Sequence, residues 1–157
     1  MNSEIKIYTD GSCHTQLKIG GWAAIIFYEN EKILLKGVAE NTNHNKMELI
    51  AVIEAIKHAK TIITSSDKIV LYSDSQYVVN IPKRMVRLKQ NNFTTKKGIS
   101  IRNIELVKEL INLIKSSDIK FVKVKAHLKK SEIENPNREV DKISRKIVRD
   151  FVGRKTT

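Results

Sequence analysis

The 157-residue chain has one cysteine, two prolines and six glycines. A lone cysteine, Cys13, excludes an intrachain disulfide and any zinc site built from several cysteines. With so few prolines and glycines, and no repeat or low-complexity tract, the chain offers no evident linker. We therefore expect one domain over residues 1–157, with a core at about 4–152, since compact domains usually have about 100–150 residues.

Long apolar runs are also absent. The longest, Trp22–Phe27, is far shorter than the ~18–20 residues that span a membrane. The first four residues lack the basic and then apolar pattern of a secretion signal. Hydrophobic residues make up 41% of the chain, enough for one core and too many for a disordered tail protein. We expect a cytoplasmic protein without a membrane partner.

Acidic residues are few compared with basic ones. There are 17 Asp and Glu against 29 Lys and Arg, giving a net charge of +12. No acid occurs from Pro82 to Ile104, where we predict a basic protrusion at about residues 82–98. Its cations are Lys83, Arg84, Arg87, Lys89, Lys96 and Lys97. Such clustering favours a nucleic-acid partner, without separating DNA from RNA or binding from cutting.

Apolar periodicity predicts the element order β-β-β-α-β-α-α-β-α. Strands are predicted near residues 5–8, 22–28, 33–35, 69–72 and 121–124. Helices are predicted over 45–60, briefly after Ser75, over 103–115 and over 136–152. Three strands followed by alternation indicate an α/β fold, a mixed sheet with helices on both faces.

Four carboxylates occupy informative positions. Asp10 ends the first predicted strand and Asp74 the fourth, so the two share one sheet edge if those strands are adjacent and parallel. Glu48 falls in the first turn of the first helix, and Asp141 near the start of the last. Each alone could cap a helix or a turn. Together they would repel by roughly 4 kcal/mol per close pair, and Mg²⁺ or Mn²⁺ would relieve that repulsion. Two such ions ~4 Å apart can activate a water and stabilise the leaving oxygen of a phosphodiester.

Five short motifs follow one another along the chain. They are IYTDGSC (7–13), NKMEL (45–49), SDSQYV (73–78), VKAH (124–127) and NREVD (137–141). In these motifs, their order and their spacing, the chain resembles type 1 ribonuclease H over essentially its whole length. The resemblance implies the ribonuclease H-like fold, a five-stranded mixed sheet in the order 3-2-1-4-5. It also implies an endonuclease that hydrolyses the RNA strand of RNA–DNA hybrids with two metal ions, leaving 5′-phosphate and 3′-hydroxyl ends.

The resemblance implies roles for individual residues. The metal ligands would be Asp10, Glu48, Asp74 and Asp141, holding two Mg²⁺ ions, or Mn²⁺, with Asp10 bridging both. His127 would assist proton transfer or product release. Residues assigned to substrate binding are Cys13, Gln16, Asn43, Asn45, Gln76, Asn137 and the six cations of the protrusion.

The chain also departs from the family pattern. Asn43 stands where the family usually has a threonine that binds a DNA phosphate, and residues 14–19 replace a loop rich in glycine and proline. Met85 and Leu88 stand where tryptophans are frequent. The segment between His127 and Asn137 is longer than usual.

Three other readings remain open. One is a binding module unable to cleave, against which all four carboxylates argue. Another is the ribonuclease domain of a reverse transcriptase or mobile-element protein, against which the initial Met1 and the absence of polymerase sequence argue. The third is an integrase-type polynucleotidyl transferase, whose acidic set differs in number and spacing. We expect a free-standing monomer without an obligate protein partner.

Overall fold

The computed structural model describes residues 4–63, 67–125 and 135–156. Its elements follow the predicted order. They are β1 (Glu4–His14), β2 (Ile19–Tyr28), β3 (Glu31–Ala39), α1 (His44–Ile62), β4 (Lys68–Ser73), α2 (Gln76–Gln90), α3 (Ile104–Lys115), β5 (Ile119–Lys123) and α4 (Pro136–Thr156).

The five strands form one sheet in the order β3-β2-β1-β4-β5, which confirms the predicted order. Neighbours β1, β2 and β3 pair antiparallel, because short turns join them. Strands β4 and β5 are reached through helices, and they add to the sheet in parallel. Strand β1 is therefore central, with an antiparallel neighbour on one side and a parallel one on the other.

Alternation along β1 separates the two faces of the sheet. Ile5 and Ile7 belong to the main core, which also contains apolar residues of α1, α2 and α3. Tyr8 points the other way, to a smaller cluster with Ile25 of β2 and Val140 of α4. Helices thus cover both faces, as predicted.

Three local predictions were wrong. Strand β1 continues past Asp10 to His14, because β2 pairs with it as far as Ile19. Helix α2 is not short: it has 15 residues and continues through Pro82. Helix α1 begins at His44, so Glu48 lies in its second turn.

Helix α4 is the longest helix, with 21 residues. It is rich in charged residues. Within the described part of the chain, neither it nor any other helix is long and apolar enough to cross a membrane.

Candidate active site

Two carboxylates lie side by side where β4 ends. The ladder between β1 and β4 ends with the pair Thr9–Ser73. Asp10 and Asp74 are the residues that follow this pair in the two chain segments. Asp10 stays in β1 because it still pairs with Ala23 of β2 on its other side. The sheet edge therefore brings together two acids that are 64 positions apart in sequence.

Helix α1 contributes Glu48 through a close approach at Gly11. The Gly11 N–H donates to Glu48 Oε1 at 3.0 Å. A Cβ on Gly11 would lie 2.6 Å from the backbone nitrogen of Glu48 and from the carbonyl carbon of Met47. Only glycine therefore lets α1 pack this closely on β1, and the packing places Glu48 beside Asp10.

These elements assemble a cluster of three carboxylates. One oxygen from each of Asp10, Glu48 and Asp74 lies within 4.8 Å of the others. Asp10 is 4% exposed and Glu48 1% exposed. They line a cleft of about 220 Å³, with Asp141, Arg145 and His44 also on its walls.

Asp141 lines this cleft without belonging to the three-carboxylate cluster. Its Oδ1 accepts from Arg145 Nε at 3.0 Å, one helical turn along α4. Its side chain is 24% exposed, more than those of Asp10 and Glu48. The structure thus places the fourth acid at the rim of the cleft, paired with a cation.

Burial makes ionisation of the two inner carboxylates costly. The pKa of Asp10 is raised from 3.8 to about 7: desolvation is the largest cause, a hydrogen bond from Ser144 lowers it, and the charges of Asp74 and Asp141 raise it. Desolvation also raises the pKa of Glu48 well above 4.5, and the charges of Asp10 and Asp74 add to this. A cation among these groups would favour their charged forms.

The donor set fits a hard divalent cation. Glu48 Oε2 is buried and has no hydrogen-bond partner among the described residues, although such atoms are usually satisfied. All candidate ligand atoms in the cluster are carboxylate oxygens, which suit Mg²⁺ or Mn²⁺. Asp10, Glu48 and Asp74 could hold such an ion directly, with Asp141 next to them.

A second depression of about 350 Å³ adjoins the cleft on the side of α2. His44 lines both. The predicted substrate residues Asn43 and Asn45 line it, together with Arg84. Asn43 also caps α1, accepting from Lys46 N at 2.8 Å through its side-chain oxygen. Capping α1 is thus a structural role for Asn43 that needs no bound substrate.

The other predicted contact residues that the structure describes do not line the cleft itself. Cys13 is near the end of β1, and Gln16 is exposed in the following turn. Gln76 begins α2 and donates to Asn80 at 2.7 Å. Asn137 is 5% exposed and donates to the Lys125 carbonyl at 3.2 Å, which joins α4 to the segment after β5.

The basic protrusion is half helix and half loop. Lys83, Arg84, Arg87 and Lys89 are exposed on α2, whereas Lys96 and Lys97 are exposed in the turn after it. Leu88 is 5% exposed and Met85 packs against the main core. The two positions where the family often has tryptophan therefore face inward in this chain.

Sequence reasoning missed two residues of the site, Ser144 and Arg145. Ser144 Oγ lies 2.7 Å from Asp10 Oδ2, a contact between distant parts of the chain that has no local signal. Arg145 follows Asp141 by four positions, a spacing at which helical ion pairs form, so the sequence did contain a signal for it. The predicted residue His127 lies outside the described residues.

Comparison with known proteins agrees with this arrangement. Residues 2–149 match the family model for RNase H. The chain is 37% identical to a ribonuclease H of Caldicellulosiruptor saccharolyticus, covering 94% of this chain and 98% of that protein. It is 39% identical to a ribonuclease H of Wolbachia sp. subsp. Drosophila simulans, over 94% and 97%.

Solved structures share the fold. LC9-RNase H1, a type 1 RNase H with the type 2 active-site motif, superposes with a TM-score of 0.78 at 21% identity, over 94% of this chain and 73% of that one. A foamy viral protease-reverse transcriptase gives 0.70 at 18% identity, over 93% of both chains.

The five-stranded sheet, the acids beside β1 and β4, and the ribonuclease H relatives together identify a metal-dependent nuclease of the ribonuclease H-like class. The chain belongs to the RNase H family. This confirms the predicted activity, endonucleolytic cleavage of the RNA strand in RNA–DNA hybrids, and the family's use of divalent metals.

Proposed function

We propose that Asp10, Glu48, Asp74 and Asp141 form the catalytic centre of this ribonuclease H and hold two Mg²⁺ ions when substrate is bound. The cluster of three carboxylates within 4.8 Å carries the proposal. Two of them are buried at a cost that a divalent cation would offset. Bound there, the ions supply an activated water and a stabilised leaving oxygen, which gives 5′-phosphate and 3′-hydroxyl ends.

The protein's own groups position these ligands. The Gly11 N–H holds Glu48 Oε1, and Ser144 holds Asp10 Oδ2. Arg145 pairs with Oδ1 of Asp141, and a carboxylate has a second oxygen that could bind a metal. We assign proton transfer or product release to His127 from the family resemblance.

We propose that the hybrid spans the cleft and the α2 depression. Asn45 and Gln76 would then lie near the cleaved phosphate, with Cys13 and Gln16 towards the RNA strand. The RNA 2′-hydroxyl is the group that distinguishes RNA from DNA there. Asn43 would donate to a DNA phosphate through its side-chain amide, because its side-chain oxygen already caps α1.

The cations of α2 and of the turn after it would contact phosphates of the DNA strand. All six are exposed, and none of them lines the carboxylate cleft. We further propose that the whole chain is one domain and that it acts in the cytoplasm as a monomer. The single five-stranded sheet supports the one-domain part of this proposal.

Labelled substrates test the proposed function. The protein is incubated with an RNA–DNA hybrid, double-stranded RNA and double-stranded DNA, with Mg²⁺ and with a chelator. We expect cleavage of the RNA strand in the hybrid only, with Mg²⁺ only, and loss of cleavage in Asp10→Asn. Cleavage of the duplexes at a similar rate, or cleavage in chelator, would contradict it.

A further inference from the structure

Helix α4 carries a stripe of cations on its outer face. Arg138, Lys142, Arg145, Lys146 and Arg149 line a third depression, of about 450 Å³. At 3.6 residues per turn, Arg138, Lys142, Arg145 and Arg149 fall within a sector of about 60°, and Lys146 lies about 40° beyond it. With a rise of 1.5 Å per residue, the α4 stripe is about 16 Å long.

A different face of α4, without these cations, packs against the sheet. Asn137, Val140, Ser144 and Val148 recur at helical spacing and are buried. Lys142, Arg145, Lys146 and Arg149 are exposed. Packing α4 on the sheet therefore does not require their charges.

Local acids offset only part of this charge. Arg145 pairs with Asp141, and Lys146 pairs with Asp150 at 2.8 Å. The Lys146–Asp150 pair is exposed and the Arg145–Asp141 pair is partly exposed, and pairs at the surface contribute little to stability. The α4 stripe therefore has an excess of positive charge, which would attract a polyanion.

The α4 stripe adjoins the carboxylate cleft. Asp141 and Arg145 line both depressions, as His44 lines both the cleft and the α2 depression. The three depressions therefore adjoin one another through shared wall residues, with the carboxylates in the middle depression and cations lining the two outer ones.

We propose that the α4 stripe binds phosphates of the RNA strand next to the cleaved phosphate, on the side of the cleft away from α2. This rests on the proposed function, in which the cleaved phosphate occupies the carboxylate cleft and the α2 cations face the DNA strand. A strand with one phosphate in the cleft must continue on an adjoining surface. The α4 stripe is such a surface, and it is cationic along its length.

Lys142→Ala with Arg149→Ala tests the stripe without touching Asp141 or its partner Arg145. The matched control is Lys68→Ala with Lys115→Ala. It removes the same charge from two exposed residues at the other end of the sheet, which line none of the three depressions. Hybrid binding is measured by fluorescence anisotropy in chelator, over a range of salt concentrations. Thermal melting checks that both variants fold.

We expect the stripe variant to bind hybrid about 3- to 10-fold more weakly than wild type, and the control less than 2-fold. Each lost phosphate contact should flatten the slope of log K against log salt by about 0.9, so two contacts give up to about 2. Equal binding and equal slopes for the stripe variant and its control would overturn the proposal.

A hybrid whose DNA strand has neutral methylphosphonate linkages identifies the strand. The loss caused by the stripe variant should persist on this substrate, because the RNA phosphates are unchanged. If the loss disappears, the stripe contacts DNA and the proposal is wrong. Failure of wild type to cleave any hybrid with Mg²⁺ would instead remove the proposed function, whatever the binding results.

Discussion

Ser144 and Asp10 connect α4 to the central strand at the candidate metal site. The Ser144 hydroxyl lies 2.7 Å from Asp10 Oδ2 and 3.1 Å from the Asp141 carbonyl oxygen. Ser144 and Asp10 are both buried. With one proton to donate, the hydroxyl fixes one oxygen of Asp10 and leaves the other for a cation.

Ser144→Ala should therefore remove the hydrogen bond that holds the Asp10 side chain in place, without creating a large cavity. We expect a higher Mg²⁺ concentration for half-maximal activity and a rate lowered about 3- to 10-fold, with hybrid binding in chelator unchanged. A Mg²⁺ titration of hybrid cleavage measures both quantities. An unchanged midpoint and rate would mean that the contact only packs the helix.

Asp10→Asn should abolish nearly all turnover, because it removes the central candidate ligand and no surface cation. Hybrid binding in chelator should remain close to wild type, and Asp74→Asn should behave likewise. Single-turnover cleavage and anisotropy give the two readouts. A residual rate above about a tenth of wild type, or roughly 1.4 kcal/mol of barrier, is too high for loss of a ligand shared by two metal ions.

The raised pKa of Asp10 predicts how stability depends on pH without metal. The folded protein keeps a proton up to about pH 7 that the unfolded chain, with a pKa near 3.8, has already released. The free energy of unfolding should therefore fall as pH rises between about 4 and 7, by at most ~4 kcal/mol from this group. Urea unfolding in chelator at pH 5 and pH 8 measures the change.

Asp10→Asn supplies the control for that measurement. It cannot ionise, so its stability should fall less between the two pH values, and at pH 8 it should exceed that of wild type. Mg²⁺ should narrow this gap by stabilising charged Asp10. Equal pH dependence in both proteins would show that Asp10 is already ionised in the metal-free fold.

Apolar periodicity predicted the order of the elements along the chain, and the resemblance to type 1 ribonuclease H predicted the strand order. Asp10 and Asp74 were expected to share one edge if their strands were adjacent and parallel, and the ladder between β1 and β4 meets that condition. Periodicity failed for α2, where Pro82 and many cations conceal an inward-facing series of Val78, Ile81, Met85 and Leu88. The Ser144 contact was out of reach, since it depends on how α4 packs against β1. The role of Gly11 was also missed, because Asp-Gly usually indicates a turn.

Gly11→Ala should break the contact that brings α1 to β1. Its Cβ would lie 2.6 Å from backbone atoms of Met47 and Glu48, which cannot move without shifting the helix. We expect a loss of about 1–3 kcal/mol in the free energy of unfolding and a large loss of activity.

Gly153→Ala is the matched control for Gly11→Ala. It lies in α4, where an added Cβ meets nothing within 4 Å, so it should stabilise by up to about 1 kcal/mol. Urea unfolding and hybrid cleavage are measured on both variants. A Gly11→Ala protein as stable and active as wild type would show that α1 can shift freely, contrary to the packing.

Lys96 and Lys97 should act as part of a handle for DNA phosphates, away from the carboxylates. Both are exposed in the turn after α2, and neither lines the cleft. Changing both to Ala should weaken hybrid binding and flatten the salt slope by about one to two units, because fewer counterions are released. The kcat at saturating hybrid should stay near wild type, since no group near the metal ligands changes.

Substrates with a methylphosphonate DNA strand separate this handle from the α4 stripe. On such a hybrid the Lys96→Ala, Lys97→Ala variant should bind as well as wild type, because the DNA phosphate charges that the two lysines contact in wild type are absent from this substrate. The Lys68→Ala, Lys115→Ala variant again controls for total charge. If these lysines only keep the protein soluble, the double variant will keep the KM and the salt slope of that control. That result would remove Lys96 and Lys97 from the hybrid-binding surface, while cleavage at the carboxylate cluster would stand.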